Sequence, residues 1–251
     1  MTITLTPTQQ RAVYYSPFSF LRGHEQSLAT SFLEDLDKAV DDGVVERIGQ
    51  DVKIWVRYLE WDSEYFSCPT YRLEFADWDS GAIDPATNVA EKLIELKTEL
   101  LRRHGNYYLF TEIPSEDVVV LQALGLSGFR LIETRLTHYI DELESFEEQH
   151  AFPVRAARKE DTENLRDVAI CSRNDFDRFH ADPFFSDLVA DDYLAEYTEQ
   201  CILGLTDTVL VPDVDQLLPN AFICGTLNID APNEMHIGRL VLVAVAEPRR
   251  G

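Results

Sequence analysis

Leu28, Phe32, Leu33, Leu36 and Val40 recur three and four residues apart in GHEQSLATSFLEDLDKAVDDG, and the run halts at Asp42-Gly43. One apolar stripe per turn predicts an amphipathic helix that stops at the glycine. DVKIWVRYLEWD and TYRLEFADW then alternate or cluster β-forming residues and predict strands, and ATNVAEKLIELKTELLRRHG returns to helical spacing and closes on Gly105. YYLFTEIP predicts a strand, SEDVVVLQALGLSG a helix, and FRLIETRLTHYID a further strand. Residues 141–150, DELESFEEQH, lack core-forming side chains and read as an acidic linker.

Past the linker the pattern restarts. FPVRAA predicts a short strand, and RKEDTENLRDVAICS a helix with Leu165, Val168 and Ala169 inward. The polar and aromatic loop RNDFDRFHADPFFS leads to a second helix, DLVADDYLAEYTEQCILG. TDTVLVPD, NAFICGTLNID and MHIGRLVLVAV follow as three strands set apart by turn residues. The fold class expected is α/β (mixed α+β), with a mixed sheet flanked by helices in the second half and a smaller α/β domain before it.

Composition narrows the function. The 251 residues are 45% hydrophobic and 11% aromatic, enough for a real core. Against 22 Lys and Arg stand 45 Asp and Glu, a formal charge of −23 that repels phosphate backbones and anionic membranes. Neither nucleic acid nor a membrane is therefore expected as a partner. Cys68, Cys171, Cys201 and Cys224 form no C-x-x-C pair and have no zinc-type histidine spacing, so no metal is expected. The N-terminus lacks a basic start followed by an apolar block, and no segment approaches the length of a bilayer span, which points to a cytoplasmic protein.

Several stretches carry a family resemblance. The second-half order, ending in a Val-rich strand and then VAEPRRG, resembles the front half of a domain of the GNAT superfamily of N-acetyltransferases. YLEWDSEYF at 58–66, YLFTEIPSED at 108–117, GFRLIETRLTHY at 128–139 and DFDRFHADPFFS at 175–186 are similar to the two-domain TDP-fucosamine acetyltransferases. The resemblance spans roughly 55–251. It implies an acetyl-CoA-dependent acetyl transfer to the amine of a small acceptor, a nucleotide-linked 4-amino-dideoxy sugar of the kind used in cell-surface polysaccharides, with a homodimer left open. It divides the chain into an N-terminal helical extension (1–54), an N-terminal α/β domain (55–140) that reads as a degenerate half of the same fold, the linker (141–150), and the first portion of a GNAT domain (151–251).

Site residues follow by position. The superfamily signature Arg/Gln-x-x-Gly-x-Gly/Ala holds the pyrophosphate of coenzyme A on backbone amides and a helix N-terminus. Arg250 and Gly251 fall on its first two positions, and the resemblance implies that the C-terminal part of the domain, with the phosphate loop and the usual catalytic tyrosine, is missing. No catalytic residue is therefore named, and activity of the 251-residue chain stays open. Val243 and Val245 are expected to offer main-chain groups to the pantetheine arm. In the loop between the two helices, Arg178 is expected to meet a sugar-nucleotide phosphate, Phe179 to stack on a ring and His180 to stand at a pocket rim; the competing reading is a self-satisfied Asp/Arg/His surface network. Glu112, Trp61, Asp62, Glu64 and His236 are weaker candidates. A non-catalytic GNAT-like binding protein and a peptide or protein N-terminal acetyltransferase remain as alternatives.

Overall fold

Val52, Ile54 and Val56 point to one side of a strand while Trp55 points to the other, so this strand must be covered on both faces. The computed structural model describes residues 4–141, 143, 152–231 and 235–246, without the side chains of 229–231 and 235. The chain divides into two compact units, Met1–Arg130 and Leu131–Gly251.

The first unit is three-layered. Its sheet runs in the order β1 (Val45–Ile48), β2 (Val52–Tyr58), β3 (Thr70–Trp78), β4 (Tyr108–Thr111), with antiparallel pairing except for the parallel β3/β4 pair. On one face α1 (Pro7–Tyr15) and α2 (Glu25–Asp41) pack Ala12, Leu28 and Leu36 against Trp55 and Phe75. On the other, α4 (Pro85–His104) and α5 (Val118–Leu126) press Val89, Leu93, Leu96 and Val120 onto Ile54, Val56 and Leu73. Asp84 caps α4 by accepting from the Thr87 amide, Pro85 occupies its first turn, and Gly105 at φ 77° ends it. The turn between β1 and β2 depends on Gly49, at φ 96°, where a Cβ would lie 2.0 Å from the Val52 carbonyl oxygen.

Because β1 and part of β2 lie before residue 55, residues 1–54 contribute strands to this sheet as well as helices. A short helix, α3 (Glu60–Tyr65), replaces the end of the strand expected through residue 62. The strand expected over 129–141 is absent: this stretch has no regular structure, and Leu131 and Leu136 are exposed. Alternation makes a strand possible, but a strand needs a neighbour to take its backbone hydrogen bonds. Of the acidic linker, all but Asp141 and Leu143 lie outside the described residues.

The second unit follows the expected element order with one added turn of helix. It comprises β5 (Val154–Ala156), α6 (Thr162–Cys171), α7 (Arg178–Ala181), α8 (Asp187–Gln200), β6 (Thr208–Pro212), β7 (Ala221–Ala231) and β8 (Met235–Val245). The sheet order is β5-β6-β7-β8, antiparallel throughout, so the mixed sheet of this protein lies in the first unit instead. Leu165, Val168 and Ala169 of α6 pack on Val209, Val211, Phe222, Cys224 and Ala244. Arg155 of β5 grips the buried carboxylate of Asp161 with two hydrogen bonds of 2.7 and 2.9 Å. All four cysteines are free thiols, and among the described residues no helix is long and apolar enough to cross a membrane.

Candidate functional site

The loop after α6 is built around carboxylates. Asp177 caps α7 by accepting from the amides of Phe179 (2.8 Å) and His180 (3.0 Å), which turns the His180 ring back toward it. Nδ1 of His180 then lies 2.8 Å from Asp177 Oδ2, and Nε2 lies 3.1 Å from Asp191 Oδ1 on α8. With the side chain only 2% exposed, both ring nitrogens are engaged within the chain. Burial opposes the charge on this imidazole, but the hydrogen bonds to Asp177 and Asp191 outweigh it and raise the pKa above the ordinary histidine value. Only the imidazolium has an N–H for each carboxylate.

Arg173 ties this network to the sheet. Its guanidinium faces Asp175 (3.2 Å), Asp187 (3.3 Å) and Asp191 (3.6 Å). The preceding residue, Ser172, ends α6 and donates its hydroxyl to the carbonyl of Val245 at 2.8 Å. Ser172 thus fixes the end of β8, and its chain neighbour Arg173 starts a separate set of polar contacts that runs to Asp191, His180 and Asp177. Neither Ser172 nor Asp191 stands out in the sequence, because their partners lie 73 and 11 residues away along the chain.

The neighbouring positions are aromatic. Phe179 packs on Tyr193 (centroids 4.1 Å apart) and edge-on to Phe185 (5.3 Å), while the Arg178 guanidinium covers the same ring at 4.3 Å. The Arg178 amide donates to Glu133 at 3.1 Å. Arg178, Phe179 and His180 thus sit together, with the arginine and the phenylalanine on one another and the histidine beneath the loop. Val243 is 53% exposed on β8, the outermost strand of its sheet, and Val245 is partly buried. Arg250 and Gly251 lie outside the described residues.

The weaker candidates are dispersed. Glu112 lies 3.9 Å from Arg72, which shares Glu74 with Arg57; Glu74 is the extra residue of a β-bulge opposite Trp55 and Val56. Trp61 of α3 stacks on Tyr65, Asp62 and Glu64 lie on the same helix, and His236 is exposed on β8. Among the described residues no group of three or more His, Cys, Asp and Glu is arranged to hold a metal ion.

Comparisons with known proteins add a distant likeness. No family model matches the chain, and no curated protein matches it. A solved structure described as a probable acetyltransferase resembles it over 52% of this chain and 88% of its own, with 12% identity and a TM-score of 0.32. The resemblance to an acetyltransferase is thus structural and remote, and at that level it says nothing about substrate.

Proposed function

We propose that the chain is an acetyl-CoA-dependent N-acetyltransferase, or a fragment of one, that acetylates the amine of a small acceptor, with a nucleotide-linked 4-amino-dideoxy sugar as the acceptor. The observation that carries this reading is the placement of β8. It is an edge strand ending beside the loop that bears Arg178 and Phe179, and Ser172 ties that end to the base of the same loop. The four sequence stretches similar to TDP-fucosamine acetyltransferases support the acceptor.

Acetyl-CoA would supply an activated thioester, so no protein nucleophile is needed. The tasks left to the chain are to hold the acceptor amine on the thioester carbon and to keep both partners oriented. Val243 and Val245 would offer main-chain groups of the β8 edge to the pantetheine arm. The Val245 carbonyl already accepts from Ser172, which fixes the direction of the strand end. Arg250 and Gly251 would take the pyrophosphate. Arg178 would carry the positive charge on the acceptor side, and Phe179, whose ring is packed by Tyr193 and Phe185 and covered by the Arg178 guanidinium, would position that arginine instead of stacking on the acceptor. His180, buried between two carboxylates, holds the loop rather than offering a free base.

The test is a melting curve of the 251-residue chain with acetyl-CoA, followed by thiol release with TDP-4-amino sugars. A ligand at about 100 times its Kd stabilises the folded state by about 2.7 kcal/mol. A saturable rise in Tm with acceptor-dependent thiol release is the expected result. A rise without thiol release with any amine leaves a binding protein, and no rise at millimolar acetyl-CoA overturns the proposal for this chain.

A further inference from the structure

Cys201 and Cys224 are the two thiols in the core of the second unit, 2% and 0% exposed among Leu165, Val168, Val209 and Phe222. They belong to different elements, Cys224 to β7 and Cys201 to the chain that leaves α8. The backbone brings them together. Cys201 begins a single wide turn, Cys201–Leu205, and the Thr206 hydroxyl donates to the Cys201 carbonyl at 3.4 Å. Two residues after Thr206 the chain enters β6, where Val209 pairs with Cys224. The Cys224 side chain points to the helices, and its thiol donates a hydrogen bond to the Cys201 sulfur.

Buried thiols are ordinarily inert, because burial opposes the thiolate that reacts. This pair is uneven. The hydrogen bond from Cys224 holds the Cys201 thiol below the ordinary cysteine value although burial opposes it, and the same bond, together with burial, pushes the Cys224 thiol up. One sulfur is prepared to attack while the other stays protonated beside it. Access comes from the turn. Gly204, at φ 112°, would meet no neighbour within 4 Å even with a Cβ, and Leu203 and Leu205 are 58% and 56% exposed. A turn with so little packing on its outer side opens locally without unfolding the unit, and a small neutral oxidant then reaches Cys201.

We propose that Cys201 and Cys224 form a reversible disulfide when the protein meets hydrogen peroxide. The Cys201 thiolate attacks one peroxide oxygen, the O–O bond breaks, and the departing hydroxide takes up the proton that Cys201 gave away and leaves as water, so that Cys201 becomes a sulfenic acid. The Cys224 sulfur then attacks the sulfenic sulfur, the S–O bond breaks, and a second water leaves with the Cys224 proton. Each sulfur gives up one electron and the peroxide takes both. The new bond ties the end of α8 to β7, and this chemistry is independent of acetyl transfer.

The experiment treats the folded, reduced full chain with hydrogen peroxide well below its Tm, blocks the remaining thiols and cleaves at aspartates, since Asp207, Asp213 and Asp215 lie between the two cysteines and separate them. The expected result is a peptide bearing Cys201 joined to one bearing Cys224, with a higher Tm for the oxidised chain, both reversed by dithiothreitol. Cys224→Ala is expected to stop at the Cys201 sulfenic acid, which dimedone traps, and Cys201→Ala to leave Cys224 reduced. Should either core variant misfold, the peptide map of the wild-type chain alone provides the reading. Cys201 and Cys224 still reduced at a peroxide dose that oxidises the exposed Cys171, a link that forms only in denaturant, or Cys201 joined to Cys68 or Cys171 would each overturn the proposal.

Discussion

Replacing His180 by alanine removes both contacts that join α7 to α8 through the imidazole, those to Asp177 at 2.8 Å and to Asp191 at 3.1 Å. Hydrogen bonds to charged groups contribute about 1.5–3 kcal/mol each. The abandoned carboxylates are 24% and 21% exposed and regain some water, which lowers the sum. A net loss of about 3 kcal/mol is expected, or roughly 12 °C in Tm at ~4 °C per kcal/mol for a unit of this size. The pH dependence is the sharper test. The folded pKa of His180 is raised, so its stabilisation is fully present below the unfolded value near ~6.5 and is lost as pH rises through the folded value. The gap in Tm between wild type and variant should therefore be widest in mild acid and narrow as pH increases. The probe must report on the second unit, because Trp55, Trp61 and Trp78 all lie in the first. Calorimetry, or hydrogen exchange of the peptide covering 175–192, meets that need. A gap that stays flat or widens with pH would refute the charged, doubly bonded imidazole.

Other perturbations test the scaffold. Gly49→Ala sets a Cβ against the Val52 carbonyl at a positive φ, and a loss of about 1–3 kcal/mol is expected from the strain. Trp55 on β2 reports it by emission during denaturation; an unchanged midpoint would mean that the β1–β2 turn is not as described. Asp161→Asn removes a carboxylate whose pKa is lowered chiefly by its hydrogen bonds from Arg155. Its stabilisation is present above the unfolded value near ~3.9 and is lost as pH falls through the depressed folded value, so wild type and variant should converge in acid, which a calorimetric pH series would check.

Residues 25–42 and 86–105 disclose their helices in the sequence because each buries a single stripe, and a stripe at three-and-four spacing is a local property. The order of elements after residue 152 is legible for the same reason. Helix α1 is not: PTQQRAVYY buries only Ala12 and Val13, and its position depends on Arg11 lying over Trp78 and paired with Asp77. The stretch 129–141 shows the converse, since its alternation suits a strand that lacks a partner.

At the candidate site, the local sequence determined that a short polar and aromatic loop would separate two helices; the helical turn at Arg178–Ala181, capped by Asp177, came from the structure. Only the tertiary structure decided that His180 is held between two carboxylates, that Phe179 is packed by Tyr193, and that Ser172 reaches the end of β8. These pairings join elements from different parts of the chain, and the energy that selects them exists only once packing has removed water from between them.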